Sequence, residues 1–318
     1  MERLRSLQIV RFFAASMVVW CHASMNAAGS AGVDIFFVLS GYIISNVAKN
    51  KSPGAFLRDR IIRIFPIYYV CSIPWLFVDI HYRVIDWSSL DRILTTLTLW
   101  PVYGGISMPV LLVGWTLSFE LLFYVSMAVV LVWKPAAWVL PLAYVLAVIF
   151  AYATQWALFR FLGNPIILEF GFGVALSMMR FRNRALGVAA IAAATLCFCW
   201  YALHGSEGLD AHVFDLSKPQ RVILWGVPAA LAVWGALQLD PLTGRISRVL
   251  AYLGDASYSL YLTHVFTLLV AVMVFPWPVA IVVAIAVGAA VHQFIEKPLM
   301  GVVRSLWRVA VPATAAAG

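Results

Sequence analysis

Charge is what this chain has least of. Only 11% of its 318 residues are charged, 63% are hydrophobic, and the mean hydropathy is +0.92. A chain so poor in charge cannot cover the surface of a water-soluble globule, and this excludes the soluble classes. Acidic residues are scarcer still, 14 against 22 Lys and Arg. Cysteine is scarce as well. The four cysteines, Cys21, Cys71, Cys197 and Cys199, all lie in apolar segments, without metal-ligand spacing to any histidine. That excludes a disulfide scaffold and a thiolate metal site, and leaves small membrane-core residues. Long polar stretches are missing too. The two longest gaps between apolar runs, about 81–112 and 204–220, are too short for a soluble catalytic domain. No small-residue cleavage site follows the first apolar run, so no cleaved signal peptide is expected. Any chemistry must therefore take place among helices.

What is present is a series of apolar runs near the roughly 20 residues that cross a bilayer. They predict an all-α polytopic membrane bundle of about ten transmembrane helices. The expected spans are 7–25, 33–48, 64–80, 113–133, 137–154, 162–179, 186–203, 221–238, 250–275 and 278–294. A further semi-apolar stretch, ILTTLTLWP at 93–101, is expected to lie in the interface or to re-enter. With the N-terminus placed in the cytoplasm, only Arg83, Arg92, Arg160, Lys218 and Arg221 of the 22 basic residues fall outside. The positive-inside rule then puts both termini in the cytoplasm. The net charge of +8 is thereby explained as a topology signal, and a nucleic-acid partner is not needed. Residues 1–300 read as one transmembrane domain. Residues 301–318 read as a short cytoplasmic tail ending in low-complexity PATAAAG, where no folded structure is expected.

Arg11 and His22 stand in the first run, RFFAASMVVWCH. An offset of eleven residues is about three helical turns and roughly 16 Å of rise, so the two side chains share one face at two depths. Ionisable residues inside a membrane segment are costly and usually functional. A permanent cation below an imidazole suggests an anion anchor below a general base. Asp34 opens the second span, Glu120 lies in the outer half of the fourth, and Glu169 falls in the sixth. His22, Asp34 and Glu120 are expected at similar depth, where a carboxylate can fix an imidazole tautomer and raise its basicity; a structural salt-bridge network is the competing reading. His264 lies mid-span in GDASYSLYLTHV, with Tyr258 and Tyr261 on one face. It reads equally well as a packing residue or a catalytic one. In KNKSPGAFLRDRIIRIFP, a helix starting at Ser52 would set Arg60 and Arg63 one turn apart. Such a pair makes a bidentate phosphate clamp or a lipid-headgroup anchor.

The motifs RFFAASMVVWCH, GVDIFFVLSGYIIS, FLRDRIIRIFP, GWTLSFELLFY, SYSLYLTH and IEKP occur in one order from residue 7 to 298. Together they resemble the acyltransferase-3 family of membrane O-acyltransferases, and most of all its bacterial exopolysaccharide O-acetyltransferases. The resemblance implies a ten-helix core, an acyl-CoA donor (usually acetyl-CoA) and no permanently bound cofactor or metal. It implies that Arg11 and His22 are essential and that Arg60 and Arg63 bind the donor. It further implies a compact member, without the extra helix and esterase-like domain that some relatives carry, and direct transfer to the acceptor.

The expected activity is therefore an acetyl-CoA-dependent O-acetyltransferase of the bacterial cytoplasmic membrane. Its expected partners are acetyl-CoA, a polysaccharide or lipid-linked oligosaccharide acceptor, and membrane lipids. The donor phosphates would meet Arg60 and Arg63, with Lys49, Lys51 and Arg58 as supporting charge. The pantetheine arm would pass Arg11, and His22 would act as base with Glu120 or Asp34 behind it. Ser40, Tyr42 or Trp115 would steady the oxyanion, and His264 and Tyr261 are further candidates. The competing expectation is a proton-coupled transporter or flippase of a polysaccharide precursor, since intramembrane His, Glu and Asp suit that role as well. A binding-only sensor is a third.

Overall fold

A computed structural model describes residues 4–81, 90–101, 108–134, 136, 138–180, 182–205 and 219–310. Among the described residues all regular structure is helical. The bundle opens with α1 (Arg5–Ser24), α2 (Ala31–Ala48) and the long α3 (Pro53–His81). The interface candidate is a separate short helix, α4 (Leu90–Thr98), ahead of α5 (Trp115–Trp133), α6 (Val139–Thr154), α7 (Ala157–Leu162) and α8 (Ile167–Met178). Then come α9 (Arg184–His204), α10 (Val227–Leu239), α11 (Arg245–Asp255), α12 (Ser257–Val274), α13 (Trp277–Val291) and α14 (Lys297–Ala310). Nine helical stretches among the described residues are long and apolar enough to cross a membrane, and α6 is a tenth, shorter apolar helix. Of the expected outer segments, Arg83 and Lys218 lie outside the described residues, as does the tail from 311.

Three expected spans differ in detail, each for a local reason. The third span and the Ser52 helix are one element. Pro53 starts α3, where proline's fixed φ suits a first turn, and the helix runs on through Pro66 and Pro74 for 29 residues. At 1.5 Å per residue that is about 44 Å, well beyond a hydrocarbon core of roughly 30 Å. Its first turns carry Arg60 and Arg63 on the same rigid rod as the apolar span. The expected helix 250–275 is broken at Ala256 into α11 and α12. α11 crosses against α1, where a Cβ on Gly254 would lie 1.8 Å from the Gln8 carbonyl oxygen. The last span does not stop near 294. A π-helical turn, His292–Glu296, joins α13 to α14, which carries helix through 301–310.

The packing follows membrane rules. Small residues bring backbones together where lipid offers no hydrophobic drive between helices. α2 and α8 meet at Gly41 and Gly173, where a Cβ would lie 2.2 Å from the Phe170 carbonyl oxygen or 2.1 Å from that of Val38. Beside this contact Phe170 packs on Phe37 at 4.7 Å and stacks on Phe123 at 4.7 Å. The outer faces stay apolar: Leu196, Leu203 and Met273 are among many large exposed apolar side chains, as a surface bathed in lipid tails requires.

Polar ties clip the helix ends. At one end Asp240 accepts from the Ser6 backbone N–H at 3.3 Å and from the Ser6 hydroxyl. Arg182 donates to the Asp240 carbonyl at 3.0 Å, and Arg5 to that of Leu242 at 3.0 Å. At the other end Asn26 donates to the Ala202 carbonyl at 3.0 Å. α1 therefore runs the length of the bundle with Arg11 nearer the first end and His22 at the second.

Candidate active site

A cavity with about 850 Å³ of empty space, its open mouth included, lies between α1, α2, α3, α5 and α12. Its polar lining comes from Arg11 of α1, Ser40 of α2, Arg60 and Arg63 of α3, Thr116, Glu120 and Tyr124 of α5, and Ser257, Tyr258 and Tyr261 of α12. Five helices thus meet around one space, into which α1 and α3 bring three guanidiniums.

Each is held by what surrounds it. Glu120 accepts from the Ser40 hydroxyl at 3.3 Å and from the Tyr124 hydroxyl, one turn along α5, at 2.5 Å. It also lies within electrostatic reach of Arg11. Arg60 and Arg63 face the cavity together, as i, i+3 spacing on a helix dictates. The Arg60 Nε is buried and has no hydrogen-bond partner among the described residues. Arg63 Nη1 donates to Glu296 Oε1 at 2.8 Å. Tyr258 donates to the Ile64 carbonyl at 2.9 Å and so locks α12 onto α3. The Tyr261 hydroxyl is bonded to the Thr116 hydroxyl at 2.9 Å and donates to the Val113 carbonyl at 3.1 Å.

His22 is not part of the cavity wall. It occupies the last turn of α1, exposed at the far end of the bundle. Its Nδ1 lies 2.9 Å from the Val18 carbonyl oxygen. A carbonyl only accepts, so Nδ1 carries the hydrogen and Nε2 of the neutral ring keeps a free lone pair, the form a general base needs. The ring packs against His264 with centroids 4.9 Å apart. His264 is fully buried; its Nδ1 is 2.7 Å from the Tyr261 carbonyl oxygen, and its Nε2 has no partner among the described residues. The Tyr261 ring, 5.8 Å from His264, lines the cavity. Cavity, Tyr261, His264 and His22 thus form one line of contacts.

Other expected site residues lie apart from this line. Asp34, expected behind the imidazole, is fully buried and accepts from Arg221 at 2.7 and 3.1 Å. The Arg221 guanidinium lies over the Trp225 ring, 4.6 Å from its centroid, and Glu169 packs against Gly226 of the same π-turn. Asp34 therefore belongs to a buried ion pair between α2 and the start of the α10 span, and Glu120 has Ser40 and Tyr124, with no histidine, as bonded partners. Tyr42 and Trp115 do not line the cavity; Trp115 packs on Phe37 and Phe119. Arg58 and Lys51 both meet Asp59, and Lys49 meets Asn46, so this outlying charge is partly neutralised.

The sequence reading missed Glu296, His292, Ser259 and Arg221. The signal for Glu296 was available: an acid ending an apolar run, in IEKP, deserved the same suspicion as any intramembrane carboxylate. Arg221 was hidden because a cation at the edge of a predicted span reads as loop charge.

The bundle and the three arginines that line its cavity define a multi-pass membrane protein with an anion-suited cavity. Residues 4–292 match the acyltransferase-3 family, described as an acyltransferase domain, and the chain belongs to that family. It is 31% identical over 296 residues to the exopolysaccharide production protein ExoZ of Rhizobium meliloti (strain 1021), covering 86% of this chain and 90% of that protein. It is 25% identical over 367 residues to the acyltransferase MdmB of Streptomyces mycarofaciens, covering 94% and 92%. No solved structure matches it significantly. The chain is a membrane acyltransferase.

Proposed function

We propose that this acyltransferase moves an acetyl group from acetyl-CoA to a sugar hydroxyl of a bacterial exopolysaccharide or its lipid-linked repeat unit. The observation that carries this reading is the cavity in which Arg11, Arg60 and Arg63 converge within a lipid-facing bundle. Guanidiniums match phosphate oxygens in geometry and keep their charge at any working pH. The likeness to an exopolysaccharide production protein supports the acceptor class.

The donor enters at the Arg60/Arg63 end, taken as cytoplasmic because the basic segments flank it, in the cytoplasmic membrane of a bacterium. The pantetheine arm runs past Arg11 towards Tyr261. α1 is one unbroken helix from Arg5 to Ser24, so Arg11 and His22 keep their separation of roughly 16 Å along it. His22 Nε2 takes the proton from the acceptor hydroxyl as its oxygen attacks the thioester carbonyl. The carbon–sulfur bond breaks, and the imidazolium returns the proton to the CoA thiolate. Ester and thiol replace alcohol and thioester with no net proton change. Glu120 holds the cavity's polar side chains and balances part of the arginine charge. The exposure of His22 on the side away from the arginines supports delivery of the acceptor from the opposite face.

The test is purified protein in lipid nanodiscs with acetyl-labelled acetyl-CoA and a panel of glycans. Release of CoA that depends on the glycan, with label appearing on it, is expected. Movement of a glycan across a vesicle membrane without any label transfer would instead make the protein a carrier.

A further inference from the structure

The end of the last span holds an ionic assembly outside the cavity. Glu296 is 1% exposed and closes the π-turn His292–Glu296. Its carboxylate receives three hydrogen bonds. Ser259 of α12 donates to Oε2 at 2.6 Å, and His292 Nδ1 approaches the same oxygen at 2.7 Å. Arg63 of α3 donates to Oε1 at 2.8 Å. Single-turn π segments inside helices recur at functional sites, and here the turn brings the acid at 296 and the histidine at 292 onto one another. The Arg63 guanidinium also lies beside the Tyr258 ring, 5.7 Å from its centroid.

We infer that Glu296, braced by Ser259 and His292, is a positioning residue that fixes Arg63 for the anionic part of the acyl donor. The inference rests on the donor reading of the arginine pair. Glu296 does not line the cavity, and its oxygens are already satisfied by three donors, so it cannot itself bind a ligand there. Its hydrogen-bonded route to the cavity is through Arg63. A long arginine side chain loses rotamer freedom on meeting a phosphate, and a partner that holds it in advance removes part of that cost. The carboxylate takes Nη1, and the remaining guanidinium edge stays available to the cavity that Arg63 lines. Among the described residues Arg60, whose Nε has no partner, has no such carboxylate brace. The two arginines of one clamp therefore differ: one is set, and the other adapts.

Equilibrium binding of radiolabelled acetyl-CoA to the purified full-length protein tests this as a double-mutant cycle. Glu296→Gln should weaken binding on the order of tenfold, the scale of one hydrogen bond to a charged group. Arg63→Ala should weaken it at least as much. Adding Glu296→Gln to Arg63→Ala should change nothing further, because groups acting through one contact are not additive. Full additivity in the cycle, or wild-type affinity in Glu296→Gln, overturns the inference. Where Glu296→Gln does not fold, Ser259→Ala removes one brace, and a smaller loss absent from the Arg63→Ala background is expected; an unchanged affinity overturns the inference there too. The Arg60→Ala, Arg63→Ala variant separates the two levels. If it binds acetyl-CoA as wild type does, the donor reading itself fails; if it loses binding while Glu296→Gln does not, only the role of Glu296 fails.

Discussion

A histidine is useful as a base only when its lone pair is free and aimed where the substrate comes. In His22 the Val18 carbonyl occupies Nδ1 and leaves Nε2 as the proton acceptor. No carboxylate is bonded to this imidazole among the described residues; its ring neighbour is His264. On the proposed mechanism the imidazole would work through tautomer and position, without the carboxylate support that sequence spacing suggested. His22→Ala is expected to lower transfer about 10²- to 10⁴-fold, the usual contribution of a general base, while acetyl-CoA affinity stays near wild type because Arg11 lies about three turns away on α1 and Arg60 and Arg63 stand on α3. Single-turnover label transfer beside equilibrium donor binding checks it. A variant that transfers normally removes His22 from the chemistry, and one that loses donor binding places it in the donor site.

At the scale of elements, the spans were legible because apolar runs carry their own length, and bilayer thickness sets what that length must be. The Arg11–His22 spacing and the Arg60–Arg63 pair were legible because helical periodicity turns offsets of eleven and three into shared faces. The break at Ala256 was not, since it depends on α11 crossing α1 backbone to backbone at Gly254. Nor were the π-turns at Val222–Gly226 and His292–Glu296, which look like uninterrupted helix in sequence. Partner choice across helices was equally hidden. Asp34 and Glu120 are both acids expected near one depth, but packing sends Asp34 to Arg221 and Glu120 to Ser40, roughly 9 Å further along α2. That pairing makes its own forecast. Asp34→Ala removes the bonded carboxylate from a buried guanidinium, which costs about 3–5 kcal/mol, so a sharp drop in detergent melting temperature should accompany any loss of activity. Replacing both partners with apolar residues, Asp34→Leu with Arg221→Met, should recover most of the melting temperature and a matching share of the activity. Recovery of stability with activity still absent would return Asp34 to the catalytic set.

The whole molecule gives the two ends of its bundle different chemistry. Arg5, Ser6, Arg182 and Asp240 clip one end together, and the same end carries the basic first turns of α3 and the α11 and α14 helices. Arg245, Arg248, Lys297 and Arg304 all belong to those two short helices. Val302 and Leu306 of α14 are exposed beside them, an amphipathic pattern suited to lying among headgroups. Lys and Arg near span ends are retained in the cytoplasm, so this end should be the inner one and His22 should sit towards the outer leaflet. A fluorescent protein fused after Gly318 should therefore fold and fluoresce in bacterial cells. In a background lacking the four native cysteines, a cysteine at Gly205, next to the helix end that Asn26 clips, should react with a membrane-impermeant maleimide on intact cells. A cysteine at Gly301, where added bulk meets nothing within 4 Å, should react only after the cells are opened. The reverse labelling pattern would place the arginine cavity on the outside, away from the cell's acetyl-CoA, and the proposed path from donor to base would then run in a direction that no cytoplasmic donor could use.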